Sequence, residues 1–145
     1  MKIRIKKLTD RAKVPISGSA CAAGYDLCAD LEEPVQIAPH TTEKISSGLA
    51  FEIPEGYFGA VFARSGLSVK EGLRPANCVG VIDADYRGPV TVALHNDSDL
   101  TRTVEPGERI AQIVILPFLT AEFETVEELS DTVRGAGGFG STGRQ

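Results

Sequence analysis

The sequence predicts an all-β fold: a sandwich, a jelly roll or a small barrel. Two observations carry this. Short β-prone segments recur along the whole chain between Gly/Pro turn signals, and helical periodicity is nearly absent before residue 120. The chain has 145 residues, of which 42% are hydrophobic, enough for one domain with a sizeable core.

The elements follow in order. Ile3 and Ile5 alternate with Lys2, Arg4 and Lys6, the pattern of a half-buried strand. Residues 9–22 read as loop. Asp26 opens a short strand with Leu27, where it is either a turn contact to the backbone or a carboxylate near a metal-bound polyphosphate. Strands are expected over 34–38, 42–46 and 48–53, the last closed by Pro54-Glu55-Gly56. Tyr57 to Ala63 is apolar on both faces and stops at Arg64-Ser65-Gly66. A short helical turn is expected over Ser65 to Lys70. A guanidinium, a hydroxyl and free N–H groups at such a junction make an anion clamp, or else a surface Arg beside a capping Ser.

Val81-Ile82 and Pro89 to Leu94 are β-prone, and the residues between them, Asp83 to Gly88, are turn formers. The expectation is a β-hairpin bent at Gly88. Its tip carries Asp83, able to deprotonate a water, and Tyr86, whose ring can stack on a flat ligand or a sugar, or else it is an ordinary turn with solvated charges. Strands follow over 102–105 and 109–116, with a type II turn at Pro106-Gly107 between them. Gln112 lies within the second, where its amide needs a partner unless it faces water at a sheet edge. Residues 121–126 alternate moderately.

Gly135 to Gly140 spells G-x-G-x-x-G, but no helix follows and no βαβ unit surrounds it, so a dinucleotide site is excluded. A P-loop is excluded by the missing lysine. A plain glycine linker has no need of Arg134, Phe139, Ser141 and Thr142, which instead suit a flexible lid over a nucleotide. The expected organisation is a β domain over 1–133 and a glycine-rich arm over 134–145.

The net charge of −5 argues against a nucleic-acid partner. Ile110 to Leu119, the longest apolar run, is broken by Gln112 and Pro117, so no membrane span is expected. Without an apolar signal core behind the basic N-terminus, the expected location is the cytoplasm. Cys21, Cys28 and Cys78 are odd in number and form no CxxC; they are expected to be buried or semi-buried thiols. His40 and His95 lack metal-ligand spacing and are expected at the surface or in loops.

Five stretches stand in one order: AGYDLCA, RSGLS, GVIDADYRG, GERIAQ and RGAGGFGSTG. Together they closely resemble the trimeric dUTPase family over nearly the whole chain. One departure is Ala63, where the family commonly has proline. The resemblance implies a distorted jelly roll assembled as a homotrimer, with each active site drawn from three subunits and the C-terminal arm crossing to a neighbour. It implies hydrolysis of dUTP to dUMP and pyrophosphate with magnesium on the triphosphate. By position in these stretches, Asp83 is similar to the carboxylate that activates water, and Tyr86 to the ring that packs on deoxyribose. Asn77 and the backbone of Gly80, Val81 and Ile82 would read uracil. Arg64, Ser65, Gly66 and Gln112 would hold phosphates, and Asp26 would orient water near the metal. Arg134, Gly140, Ser141 and Thr142 would grip the terminal phosphates, and Phe139 would cover the base. A dCTP deaminase of the same fold class needs a carboxylic base beside the cytosine amine, yet Gly66 follows Ser65. A non-catalytic nucleotide-binding protein would be expected to lack the water-activating carboxylate or the arm, and both are present.

Overall fold

The computed structural model describes residues 1–138. Its strands are β1 (Arg4–Lys7), β2 (Ile16–Ser17), β3 (Tyr25–Cys28), β4 (Val35–Ile37), β5 (Thr42–Ser46), β6 (Leu49–Glu52) and β7 (Tyr57–Phe62). A short helix α1 (Ser65–Glu71) is followed by β8 (Leu73–Pro75), β9 (Val79–Ile82), β10 (Thr91–Asn96), β11 (Arg102–Val104) and β12 (Arg109–Pro117). All pairings are antiparallel. The largest sheet has the order β2-β3-β12-β7-β9; the others are β5-β10-β8, β1-β6 and β11-β4. This nearly all-β architecture is the expected one. No helix among the described residues is long and apolar enough to cross a membrane.

The sheets enclose one core, in which Leu27, Ile37, Ile45, Leu49, Leu94 and Ile110 are almost wholly buried. β7 and β12 pair over six residues in the middle of the large sheet. α1 buries Leu67 and ends at Gly72, whose φ of 72° lets its N–H reach back to the Leu67 carbonyl. The turn after β11 is of the expected kind: Glu108 N–H donates to the Glu105 carbonyl, with Gly107 at φ 75°.

The stretch 81–94 does not form the expected hairpin. β9 pairs with β7, whereas β10 pairs with β5 and β8, so residues 83–90 carry the chain from one sheet to another. Pro89 offers no N–H to a ladder, and Val90 turns to other partners. Its N–H donates to the Leu49 carbonyl, and its carbonyl accepts the Ser47 N–H and the Ser47 hydroxyl. Gly88 has another purpose than bending a hairpin. A side chain there would overlap the ring of Tyr86, whose hydroxyl donates to the Pro89 carbonyl at 3.1 Å.

Two further expectations are corrected. Cys21 and Cys78 are exposed and only Cys28 is partly buried; the first and last sit in turns outside the sheets. Burial pushes the Cys28 thiol up from its ordinary value, with Lys13, Arg109 and Arg64 opposing it. His40 is exposed in a turn, as expected, while His95 lies half-buried within β10.

Asn96 is a buried hub at the end of β10. Its Nδ2 donates to the carbonyls of Ile37, Ala38 and Leu100 at 3.0, 3.2 and 2.8 Å, and its Oδ1 accepts the Ser98 N–H and hydroxyl. Asn96→Leu removes the buried donor from the Ile37 carbonyl and the acceptor from the Ser98 N–H, while Ala38 keeps Thr41 and Leu100 keeps the Ser98 hydroxyl as donors. It should lower the unfolding free energy by about 3 kcal/mol or more in denaturant titration; an unchanged midpoint would remove the hub from the account.

Candidate active site

β12 brings the phosphate-side candidates together. In register, Gln112 stands between Asp26 of β3 and Phe62 of β7. Past Phe62 the chain continues to Arg64, whose Nε donates to Asp26 Oδ1 at 2.8 Å and whose Nη1 donates to the Arg109 carbonyl at 3.2 Å. Arg109 Nη1 donates to Asp26 Oδ2 at 3.2 Å. Asp26 is thus a carboxylate held between two guanidiniums, and the trio carries a net positive charge. A cavity of about 240 Å³ opens here, lined by Asp26, Arg64, Ser65, Gly66, Arg109 and Gln112 among others.

Gln112 is not at a sheet edge, since β12 is paired on both sides. Its Nε2 donates to the Ala63 carbonyl at 2.9 Å and so ties down the end of β7 just before Arg64. Gly24 makes room for this amide: a Cβ there would overlap the Gln112 side-chain oxygen. Gly66 is the opposite case, because a Cβ on it would meet nothing within 4 Å. No side chain caps α1, and its first residues Ser65 and Gly66 line this cavity.

Asp83 and Tyr86 lie elsewhere, with Val81, Ile82, Pro89 and Thr91, around a second cavity of about 270 Å³. Both are exposed, and Asp83 makes no side-chain hydrogen bond among the described residues. The ladder sets the separation. Phe62 pairs with Val79, so Asp83 stands four residues along β9 from the Gln112 row, and β3 lies three strands away from β9. Those steps place Asp83 roughly 20 Å from Asp26 within one chain.

Asn77 sits in the turn between β8 and β9, its amide nitrogen over Gly80. A Cβ on Gly80 would press on Val61 at 3.2 Å and reach that amide at 3.4 Å, so glycine lets the turn lie close to β7. The turn is tight: Val79 N–H donates to the Asn77 carbonyl, with Cys78 between them at φ 61°. Arg134 is exposed and its Nε donates to the Gly137 carbonyl at 2.8 Å, in neither cavity. Phe139, Gly140, Ser141 and Thr142 lie outside the described residues.

Arg109 is the residue that sequence reasoning missed. A signal was present, since it stands in GERIAQ three residues before Gln112, but its meeting with Asp26 depends on the β3–β12 register. No cluster of three or more His, Cys, Asp or Glu able to hold a metal occurs among the described residues. Asp26, with both oxygens engaged by arginine, suits a metal carried in on phosphate oxygens and water rather than one caged by protein.

Gly24→Ala should swing the Gln112 amide away from the Ala63 carbonyl. We expect a loss of about 1–2 kcal/mol in unfolding free energy. A fully stable Gly24→Ala protein would mean that the amide has another seat.

The dUTPase family model matches residues 10–143. A deoxyuridine 5′-triphosphate nucleotidohydrolase from Nautilia profundicola is 49% identical over 99% of this chain and 100% of its own. Among solved structures, the dUTPase of Staphylococcus bacteriophage 80alpha with dUPNHPP superposes with a TM-score of 0.90 at 33% identity, covering 99% of each chain. A mutant dUTPase from phage phi11 of S. aureus, described with a structural Mg(II) ion, superposes at 0.80 with 29% identity, over 90% of this chain and 100% of its own.

Proposed function

The chain belongs to the dUTPase family, and we propose that it hydrolyses dUTP to dUMP and pyrophosphate with a carboxylate from one copy of the chain and a phosphate cradle from another. The observation that carries the division is the separation of roughly 20 Å between Asp83 and Asp26 in the register of the large sheet. A water held by Asp83 cannot reach a phosphate held by Arg64 of the same chain. A neighbouring copy has to close that distance, and a homotrimer is the assembly we infer.

Two surfaces support an assembly. A groove of about 530 Å³ is lined by Met1, Ile3, Ile5, Phe51, Ile113 and Ile115. The alternating stretch 121–126 finds no strand partner among the described residues, and Leu119 and Phe123 are each 95% exposed. Apolar surface of this extent on both features is suited to burial against other copies. Residues 1–133 are then the β domain, and 134–145 the arm that closes over a neighbour's site.

The reading assigns the following roles. The Asp83 carboxylate takes a proton from water, and the oxygen attacks the α-phosphorus. The bond to the bridging oxygen on the β-phosphate breaks, and pyrophosphate leaves with that electron pair. Arg64, Ser65, the N–H of Gly66 and Gln112 hold phosphate oxygens. Arg64 is preoriented by Asp26, which lowers the reorganisation needed as charge develops. Asn77 and the backbone of Gly80, Val81 and Ile82 read uracil, and the Tyr86 ring packs on deoxyribose. Arg134, Gly140, Ser141 and Thr142 reach the terminal phosphates, and Phe139 covers the base. Magnesium, when bound to the triphosphate, neutralises its charge, and Asp26 is the nearby carboxylate that would hold its water. The three free cysteines suit a reducing cytoplasm.

Pyrophosphate release from dUTP, dTTP, dCTP and UTP in magnesium tests the reading. Release from dUTP alone is expected; release from several nucleotides would contradict the assigned base and sugar contacts. Asp83→Asn should keep nucleotide binding and lose turnover by roughly 10²–10⁴-fold. Mixing unfolded Asp83→Asn and Arg64→Ala chains and refolding them together should restore activity that neither has alone. If the mixture stays as inactive as its parts, the division between copies is wrong. Deleting residues 135–145 should cripple kcat/KM without dissolving the assembly.

A further inference from the structure

Arg74 of β8 stands opposite His95 of β10 and carries a fork of contacts that the reaction above does not use. Its Nε donates to Asp97 Oδ2 at 2.5 Å and its Nη2 to Asp97 Oδ1 at 3.0 Å. Its Nη1 donates to the Pro75 carbonyl at 3.2 Å and lies 3.9 Å from the Cys78 sulfur. The same Pro75 carbonyl accepts the Cys78 N–H at 3.1 Å. One guanidinium therefore grips the entry and the exit of the turn that presents Asn77, and anchors both to the end of β10. Asp97 is itself fixed, since its N–H donates to the Gly72 carbonyl and His95 Nε2 lies 3.4 Å from its carboxylate.

The turn needs such an anchor. Cys78 holds φ 61°, a left-handed conformation that a residue with a Cβ keeps only where its surroundings impose it. The Ala76 N–H donates to the Ala93 carbonyl and holds the start of the turn on β10, and the Arg74 fork adds a tie from Asp97 to Pro75 and to the Cys78 end. Arg74 and Asp97 are both partly exposed, at 35% and 45% of their side chains, and exposed ion pairs contribute little to global stability. What such a pair can do is hold geometry, because arginine's planar fork matches a carboxylate at two points.

We propose that the Arg74–Asp97 fork positions the Asn77 turn and so sets how strictly the site reads the pyrimidine base. Arg74 is a positioning residue that acts through Asn77 and the Gly80–Ile82 backbone. This rests on the reading of that turn as the uracil-contacting element.

The test compares Arg74→Lys and Asp97→Asn with the parent in the full-length, assembled protein. Lysine keeps the charge and loses the fork; asparagine keeps the shape and loses the charge. Both should raise KM for dUTP about fivefold or more, leave kcat within about twofold, and narrow the dUTP-to-dTTP ratio of kcat/KM about tenfold. Melting temperature and oligomer size should stay at parent values. Unchanged KM and ratio in both variants would overturn the proposal. A fall in melting temperature with an unchanged ratio would also overturn it, by making the pair merely structural. A parent that releases no pyrophosphate from dUTP would sink the enzyme reading instead. Calorimetry with dUMP then tests the fork alone: weaker binding by Arg74→Lys sustains it, and equal binding rejects it.

Discussion

The register of β12 is the constraint on which the rest depends. Gln112 has to face Asp26 on one side and Phe62 on the other for Arg64 to meet Asp26. A slip of one residue would turn Gln112 to the opposite face of the sheet and leave the Ala63 carbonyl without its donor. The slip is prevented by packing. Ile110, Ala111 and Ile113 are buried around Gln112, and any shift would exchange them for flanking residues that do not fit the same holes. A bulge between Arg109 and Ala111 then sets Arg109 opposite Cys28, from where its Nη1 reaches back to Asp26. Apolar burial thus fixes the position of three charged groups that it never touches.

The same register keeps Asp83 apart from those charges. Ile82 pairs with Gly59, at the far end of β7 from Arg64. Where the chain leaves β9 for β10, it changes sheets, and the residues at that crossing belong to no ladder. Such segments are free to present side chains outward, and here they present Asp83 and Tyr86. The crossing is nevertheless pinned at its far end by Val90 to Leu49 and Ser47, and by the Tyr86 hydroxyl on Pro89.

Much of the fold was legible in the sequence because strand propensity and turn chemistry are local. Thr42–Ser46, Tyr57–Phe62, the type II turn at Gly107 and the short helix after Arg64 all follow from residues within a few positions. Strand pairing is not local. The sequence around Gly88 is as good for a hairpin as for a crossing, and the choice was made by Leu49 and Ser47, some forty residues away. Gln112 reads alike at an edge or in the centre of a sheet. The place of Arg109 depends on a bulge, and the importance of Asn96 depends on carbonyls from two other segments. The candidate residues were legible as chemical types in order; their division into two separate cavities appeared only with the register.

That division has an electrostatic consequence. On the roles proposed above, Asp83 as general base has to keep its lone pairs free for water, and Arg64 as part of a phosphate cradle has to keep its cation available. Placed side by side in one chain, Asp83 and Arg64 would pair with each other, as Asp26 and Arg64 do. The pair would hold Asp83 as a weaker base and would spend the guanidinium before any phosphate arrived. Within one chain Asp83 is exposed and apart while Arg64 and Arg109 are oriented by a different carboxylate, and in the proposed assembly a neighbour's Asp83 would meet that cluster across the bound phosphates. The net charge of −5 makes the separation more necessary, because an acidic chain attracts a polyanion only where cations outnumber carboxylates locally. Two arginines to one aspartate at the end of β12 meet that condition, and adding Asp83 to the same cluster within one chain would cancel it.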